Sequence, residues 1–159
     1  MNKVLFICLG NICRSPMAEA VFRHIVKEKG AEQDFVIDSA GLGDWHVGSV
    51  PHKGTRKKLD ELAISYQGQR ARQVVPEDFA AFDYMIVMDQ QNLDDLSRFD
   101  YNTEDVIVKK LMDFVIDAKE ENIPDPYFTK NFDYTYELVK EGCEQLFHNI
   151  MEHNKENTH

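Results

Sequence analysis

Short apolar runs alternate along the chain with segments of helical periodicity. The first run, KVLFIC at residues 3–8, is continuous and brief, which predicts a buried strand. The next segment predicts an amphipathic helix, because its polar residues Glu19, Arg23 and Lys27 fall away from a single apolar face. That face is formed by Met17, Val21, Phe22, Ile25 and Val26. A strand followed by a helix is therefore predicted over residues 3–27.

The same alternation continues through the rest of the sequence. Strands are predicted at 35–39, 84–89 and 105–111, and helices at 55–63 and 90–99. Residues 117–128 are predicted to form a long loop before a closing helix. The apolar positions of that helix are Tyr136, Val139, Cys143, Leu146, Phe147 and Ile150. Repeated strand and helix alternation predicts an α/β fold, a parallel sheet with helices on both faces.

Length and charge narrow the possible functions. A chain of 159 residues suits one domain, 1–159. Its net charge of −10 argues against general nucleic-acid binding. No apolar run approaches the roughly 18 residues of a membrane span, and no signal-type segment is present, so we expect no membrane insertion and a cytoplasmic location, with signal-less secretion left open. The chain has an odd number of cysteines, three, which argues against a framework of structural disulfides and favours reactive thiol chemistry.

The segment CLGNICR, residues 8–14, follows the first strand and is predicted to bind an anion. In an open parallel sheet, ligands bind beyond the carboxyl ends of strands, where Cys8, Ser39 and Asp89 are predicted to lie. Gly10 and Asn11 tolerate the backbone angles of a tight loop whose N–H groups converge on one anion. Pro16 suits the first turn of a helix, and the planar guanidinium of Arg14 matches two phosphate oxygens.

A cysteine at the mouth of such a loop is suited to nucleophilic attack on phosphorus. The helix end, the loop amides and Arg14 would favour the thiolate form of Cys8, and Ser15 could donate a hydrogen bond to the sulfur. These residues predict a phosphocysteine intermediate. Asp125, between Pro124 and Pro126, is the candidate to protonate the leaving group and then to activate water.

The chain resembles the low-molecular-weight protein tyrosine phosphatases. The segments that carry the resemblance occur in the family's order and spacing and cover nearly the whole chain: CLGNICRSPMAE, DSAG followed by DWHVG, ARQ, FDYMIVMDQQNL and DPYF. The resemblance implies a four-stranded parallel sheet in the order 2-1-3-4 and an enzyme with no metal or other cofactor. It also implies that Cys8 is the nucleophile, Arg14 the phosphate-binding residue and Asp125 the general acid.

The same resemblance implies roles for further residues. Asn11, Ser15 and Ser39 are expected to hold the loop and the sulfur in position, with Asp89 as a supporting carboxylate. The other substrate-binding residues are expected to be Leu9, Gly10, Ile12, Cys13, Trp45 and Tyr127. Tyrosine-phosphorylated proteins would be the substrates, and phosphate or other oxyanions would be competitive ligands.

Several of these residues have a simpler interpretation. Cys13 is either a buried loop cysteine or, as the resemblance suggests, a thiol that forms a reversible disulfide with oxidised Cys8. Trp45 and Tyr127 are expected at the binding rim, with ordinary packing as the alternative. Asp89 could act only as a helix cap. A metal site at Cys8 and Cys13 is disfavoured because further ligands are missing, and Cys143 is predicted to be core.

Three other functions fit parts of the sequence. A protein arginine phosphatase shares the scaffold, but related enzymes have threonine where this chain has Ile12, whose bulk favours a phenyl ring. A thioredoxin-coupled arsenate reductase needs two further cysteines after the third strand, and residues 72–100 contain none. A noncatalytic phosphate-binding module would be expected to lack the nucleophile or the acid, yet Cys8 and Asp125 are both present.

Three features of the sequence depart from what the resemblance leads us to expect, and none of them changes the residues expected to perform the chemistry. A net charge of −10 should repel phosphorylated substrates, although residues 53–72 are locally basic through Lys53, Arg56, Lys57, Lys58, Arg70 and Arg72. Gln69 stands where many eukaryotic relatives have histidine. Phe128 stands where a common DPYY pattern has its second tyrosine.

Overall fold

The protein is built on a four-stranded parallel sheet. A computed structural model describes residues 1–99 and 105–157. The strands are β1 (Asn2–Cys8), β2 (Phe35–Gly41), β3 (Tyr84–Val87) and β4 (Ile107–Lys110). They are parallel throughout, in the order β2-β1-β3-β4. The expected 2-1-3-4 sheet is confirmed, and it places the end of β1 at the centre of the sheet edge.

Helices cover both faces of the sheet, as predicted. They are α1 (Arg14–Glu28), α2 (Lys53–Glu61), α3 (Asp78–Ala81), α4 (Gln90–Leu96), α5 (Pro126–Thr129) and α6 (Phe132–Asn157), with 3-10 turns at Glu32–Asp34 and Leu111–Phe114. Successive strand residues point to opposite faces. Val4 and Phe6 therefore lie in a core with α1 and α6, while Leu5 and Ile7 lie in a second core with α3 and α4. No helix within residues 1–99 and 105–157 is long and apolar enough to span a membrane.

Several predicted boundaries were displaced by helix caps. The helix predicted at 55–63 runs from Lys53 to Glu61, because His52 Nδ1 accepts a hydrogen bond from the Gly54 N–H and caps it earlier. The strand predicted at 84–89 ends at Val87, since Asp89 caps α4, and α4 itself ends at Leu96 rather than residue 99. The strand predicted at 35–39 continues to Gly41, and that predicted at 105–111 is confined to 107–110.

The loop predicted over residues 117–128 contains a helix at its end. Asp125 accepts a hydrogen bond from the Tyr127 N–H at 3.0 Å, which caps α5, and Pro126 occupies the first turn. Aspartate before proline is a favourable start for a helix. The carboxylate accepts a hydrogen bond from a first-turn N–H, and proline has no N–H that would be left without a partner. The prediction of an unbroken loop was wrong here, and the helix fixes the position of Asp125.

Candidate active site

The loop between β1 and α1 forms the floor of the site. Cys8 is the last residue of β1, and Arg14 is the first residue of α1. Between them Asn11 adopts a φ of 59°, in the left-handed region that asparagine tolerates better than most residues. This turn brings the Asn11 N–H to 3.3 Å from the Cys8 sulfur. The loop therefore curves around the thiol, as the sequence predicts.

Ser15 provides a second polar contact to the sulfur. Its hydroxyl oxygen lies 3.0 Å from Cys8 Sγ and accepts a hydrogen bond of 2.7 Å from Asn11 Nδ2. Because the hydroxyl accepts from Asn11, its own proton can be donated to the sulfur at 3.0 Å, with the Ala40 carbonyl at 3.5 Å as the more distant acceptor. Two hydrogen-bond donors therefore point at the predicted nucleophile.

A buried polar network holds Asn11 from behind. Its Nδ2 also donates to Ser39 Oγ at 3.0 Å, and its Oδ1 accepts from the Arg72 N–H at 3.0 Å. Ser39 Oγ in turn donates to Glu19 Oε1 at 2.6 Å. Ser39 lies within β2 rather than at its end, where it was predicted. The expected grouping of Asn11, Ser15 and Ser39 is nevertheless present in the structure.

Glu19 belongs to this network but was assigned only to the polar side of α1. The residue is 5% exposed, and its second oxygen pairs with Arg23 at 2.7 Å. The signal in the sequence was its spacing, because Glu19 follows Ser15 by four residues and so shares its helix face. A carboxylate that close to the loop was a candidate for a supporting role.

Arg14 is almost completely buried beside two carboxylates. Its Nη1 donates to Asp89 Oδ2 at 2.6 Å and to the Ile123 carbonyl at 2.8 Å, while Nη2 lies 3.4 Å from Asp125 Oδ2. Burial alone would lower the pKa of Arg14. The charge of Cys8 and the contacts with Asp89 and Asp125 raise this pKa by more than burial lowers it, so the net shift is upward. Within the described residues, Nε and the second Nη2 hydrogen make no hydrogen bond. Those N–H groups remain for an oxyanion.

The two aspartates each combine a structural contact with a contact to Arg14. Asp89 Oδ1 accepts from the Asn92 N–H at 2.7 Å and caps α4, while its other oxygen binds Arg14. Asp125 caps α5 through Oδ1 and faces Arg14 through Oδ2. The two interpretations of Asp89 are therefore compatible.

A cavity of about 230 Å³ lies above Cys8. Asp125 lines one side, and Trp45 and Tyr127, 67% and 42% exposed, lie at its rim. Of the residues in the loop and the first turn of α1 that were expected to bind substrate, only Asn11, Arg14 and Ser15 do not line this cavity. His46 and Phe128 also line the cavity, although neither was predicted to do so; their sequence signal was adjacency to Trp45 and Tyr127. The lining is Cys8, Leu9, Gly10, Ile12, Cys13, Trp45, His46, Asp125, Tyr127 and Phe128.

The other cysteines are buried thiols. Burial raises the pKa of Cys13 to about 12, and the nearby charges of Cys8 and Asp125 contribute. Burial also raises the pKa of Cys143 well above its usual range, and its predicted core position is confirmed by zero exposure. All three cysteines are free thiols in this structure. In the part of the chain that is described, no group of three or more His, Cys, Asp or Glu side chains could hold a metal ion.

Two cations of the basic stretch at residues 53–72 form salt bridges with described residues. Lys58 pairs with Glu61 and Asp133, and Arg72 pairs with Asp38 and Asp78. Gln69 is buried, and its Nε2 donates to the Pro16 carbonyl at 3.0 Å, while no partner for its Oε1 occurs among the described residues. Gln69 thus contacts the start of α1 directly.

Comparison with known proteins identifies the family. A family model described as low molecular weight phosphotyrosine protein phosphatase matches residues 3–156. The chain belongs to this family. The recognition made from the sequence motifs is confirmed, as is the enzyme class, a protein-tyrosine-phosphatase among the phosphoric monoester hydrolases.

Individual relatives of this low-molecular-weight phosphatase are similar over their whole length. The low molecular weight protein-tyrosine-phosphatase YfkJ of Bacillus subtilis is 47% identical over 150 residues, 94% of this chain and 96% of the relative. Its crystal structure gives a TM-score of 0.92 over 96% of both chains. PtpA of Staphylococcus epidermidis is 41% identical over 151 residues and 95% of both chains. A Drosophila protein described as an arginine phosphatase is 34% identical, with a TM-score of 0.84 over 93% of this chain and 97% of that one.

Proposed function

We propose that this phosphatase hydrolyses phosphotyrosine in proteins through a phosphocysteine intermediate. The observation that carries the proposal is the position of the Cys8 sulfur below a cavity with Asp125 on its side and aromatic rings at its rim. The flat walls of Trp45 and Tyr127 suit the ring of a phosphotyrosine, and the loop suits its phosphate. Inorganic phosphate and similar oxyanions would compete for the same loop.

In the first step, the Cys8 thiolate attacks phosphorus and a phosphorus–sulfur bond forms. The bond between phosphorus and the phenolic oxygen breaks, and Asp125 gives its proton to that oxygen. The loop amides and the unpaired N–H groups of Arg14 hold the remaining oxygens as charge redistributes. Tyrosine leaves, and the phosphoryl group stays on the sulfur.

In the second step, water attacks the phosphocysteine. Asp125, now a carboxylate, accepts a proton from this water, and the phosphorus–sulfur bond breaks. The products are inorganic phosphate and the Cys8 thiolate. Ser15 Oγ, 3.0 Å from the sulfur, is placed to donate a hydrogen bond to the departing thiolate. One carboxyl group thus transfers a proton in each step.

Phosphoarginine is the second candidate substrate, because the Drosophila relative is described as an arginine phosphatase. Ile12 argues against it, since its branched apolar side chain lines the cavity where a guanidinium would need polar partners. Residue 12 therefore favours a phenyl ring.

Steady-state hydrolysis of phosphotyrosine, phosphoserine and phosphoarginine peptides, without added metal, tests the proposal. We expect phosphotyrosine to be preferred, Cys8→Ser to abolish turnover, and Asp125→Asn to reduce kcat by about a hundredfold or more. The amide oxygen introduced by Asp125→Asn can still cap α5, so the fold should survive. Glu121→Gln, an exposed neutralisation in the same segment, is the matched control. Preferred phosphoarginine turnover would contradict the substrate, and full activity of Cys8→Ser would contradict the mechanism.

A further inference from the structure

A lysine is fixed at the rim of the pocket by Tyr127. The Lys130 ammonium donates a hydrogen bond of 2.8 Å to the Tyr127 carbonyl and lies 5.3 Å from the centre of its ring. A cation above an aromatic face is attracted to it, so the charge is held in place. Since Tyr127 lines the cavity, the positive charge of Lys130 lies directly beside the substrate site.

Two more cations lie near this rim in the first turn of α2, where Lys53 directly follows His52 and Arg56 Nε donates a hydrogen bond to the Pro51 carbonyl at 2.9 Å. His52 stands between them and the pocket, because its ring lies 6.0 Å from the Tyr127 ring and its backbone N–H donates to the Ile12 carbonyl at 2.7 Å. Burial lowers the pKa of His52, and the charges of Lys130, Lys53 and Arg56 lower it further. We call Lys53, Arg56 and Lys130 the rim cations.

The rim cations differ from the two basic residues of the stretch at 53–72 that are held in ion pairs. Among the described residues none of the three forms a salt bridge, whereas Lys58 and Arg72 each bind two carboxylates. Three unpaired like charges near one another repel, an arrangement that a bound anion would relieve. The chain as a whole has a net charge of −10, so the rim cations give one side of the pocket a charge opposite in sign to that of the chain.

We propose that the rim cations form a subsite that binds an acidic side chain next to the phosphotyrosine of the substrate. The inference rests on the proposed function, because the phosphate must occupy the Cys8 loop while the neighbouring carboxylate reaches the rim. The other charged group facing His52 is Asp125, which would repel that carboxylate when ionised but carries a proton in the first step. The preferred substrate is therefore a phosphotyrosine flanked by glutamate or aspartate.

Three matched peptides test the subsite, each with phosphotyrosine flanked by glutamate, glutamine or lysine, alongside p-nitrophenyl phosphate. We expect kcat/KM to be highest for the glutamate peptide, mainly through a lower KM, and the preference to shrink as salt is raised. Lys130→Gln and Lys53→Gln should each reduce the ratio of glutamate to glutamine kcat/KM by about twofold to fivefold, and the double variant by about tenfold, as expected for exposed ion pairs. Lys130→Arg should retain the ratio.

The matched control is Lys57→Gln, which removes the same charge from the exposed side of α2. Equal turnover of the glutamate and glutamine peptides by the wild type would overturn the subsite while leaving the proposed function intact. A ratio lowered as much by Lys57→Gln as by Lys130→Gln would also overturn it, because the effect would then be one of net charge. Hydrolysis of p-nitrophenyl phosphate without hydrolysis of any peptide would overturn both the proposed function and the subsite.

Discussion

Replacing Asn11 by alanine should destabilise the protein and disable the loop together. The change removes three hydrogen bonds, those to Ser15 and Ser39 and that from the Arg72 N–H. At about 1 kcal/mol for each buried hydrogen bond, their loss amounts to about 3 kcal/mol. Alanine in the left-handed region adds about 1 kcal/mol, so the free energy of unfolding should fall by about 4 kcal/mol.

A second substitution separates the side chain from the backbone. Asn11→Gly loses the same hydrogen bonds but accepts a φ of 59° freely, so it should recover about 1 kcal/mol relative to alanine. Urea unfolding of both variants and the wild type measures the difference, and Asn149→Ala on the exposed side of α6 is the control. In both Asn11 variants, kcat/KM for p-nitrophenyl phosphate should fall by about a hundredfold as the sulfur and the loop lose their alignment.

If Asn11→Ala lost less than about 1 kcal/mol and kept its kcat/KM, the hydrogen bonds around Asn11 would not be what holds the loop. Equal stability of the alanine and glycine variants would contradict the backbone contribution alone.

Three further predictions concern the thiol and glycine positions. Burial raises the pKa of Cys13 to about 12, so the folded protein keeps the thiol proton above pH 9, where the unfolded chain loses it. The free energy of unfolding should therefore fall by up to about 1.4 kcal/mol per pH unit between pH 9 and 12. Urea unfolding across that range should show a shallower decline for Cys13→Ala, and an unchanged slope would contradict the shift. A methyl group at Gly43 would overlap the exposed Trp45 ring. Gly43→Ala should therefore change the fluorescence of this single tryptophan and raise KM without lowering the melting temperature. An unaltered spectrum and KM would show that the Trp45 ring does not lie against Gly43. A methyl group at Gly142 would overlap the side chain of fully buried Leu111. Gly142→Ala should therefore lower the free energy of unfolding, measured with urea, by about 1–3 kcal/mol, although alanine has the better helix propensity. A stabilised variant would mean that Leu111 moves aside without cost.

The two central strands, β1 and β3, could be predicted because they are short apolar runs. KVLFIC predicts β1 within one residue, since the strand is buried on both faces from Val4 to Cys8 and these five positions are all apolar. The order of the strands came from the family resemblance, because periodicity alone does not order parallel strands.

Boundaries were harder because caps act through geometry that the pattern does not contain. His52 starts α2 two residues before the predicted position, and Asp125 starts a helix inside a predicted loop. In both cases a side-chain hydrogen bond to a nearby N–H decides where the helix begins. Such contacts depend on backbone angles set by the rest of the fold.

The site residues adjacent in sequence were predicted more readily than those that tertiary packing supplies. CLGNICR contains the thiol, the loop and the guanidinium in seven consecutive residues. Glu19 had one sequence signal, its spacing from Ser15, whereas the Ile123 carbonyl had none because packing brings this backbone group to Arg14. The contacts of Arg72 with Asp78 in α3 and with Asp38 in β2 likewise depend on packing between β2 and a later segment, so the basic stretch could not be assigned from sequence.

The most direct test of the central claim is to trap the phosphoryl group on the enzyme. Asp125→Asn is mixed briefly with p-nitrophenyl phosphate, whose leaving group needs little protonation, so that mainly the second step is slowed; the sample is then quenched, digested and analysed by mass spectrometry. We expect one phosphoryl group on Cys8, absent from Cys8→Ser and still present on Cys8 when Cys13 is replaced by serine. Phosphorylation of another residue, or release of nitrophenol with no phosphoenzyme formed at any time, would contradict the phosphocysteine mechanism.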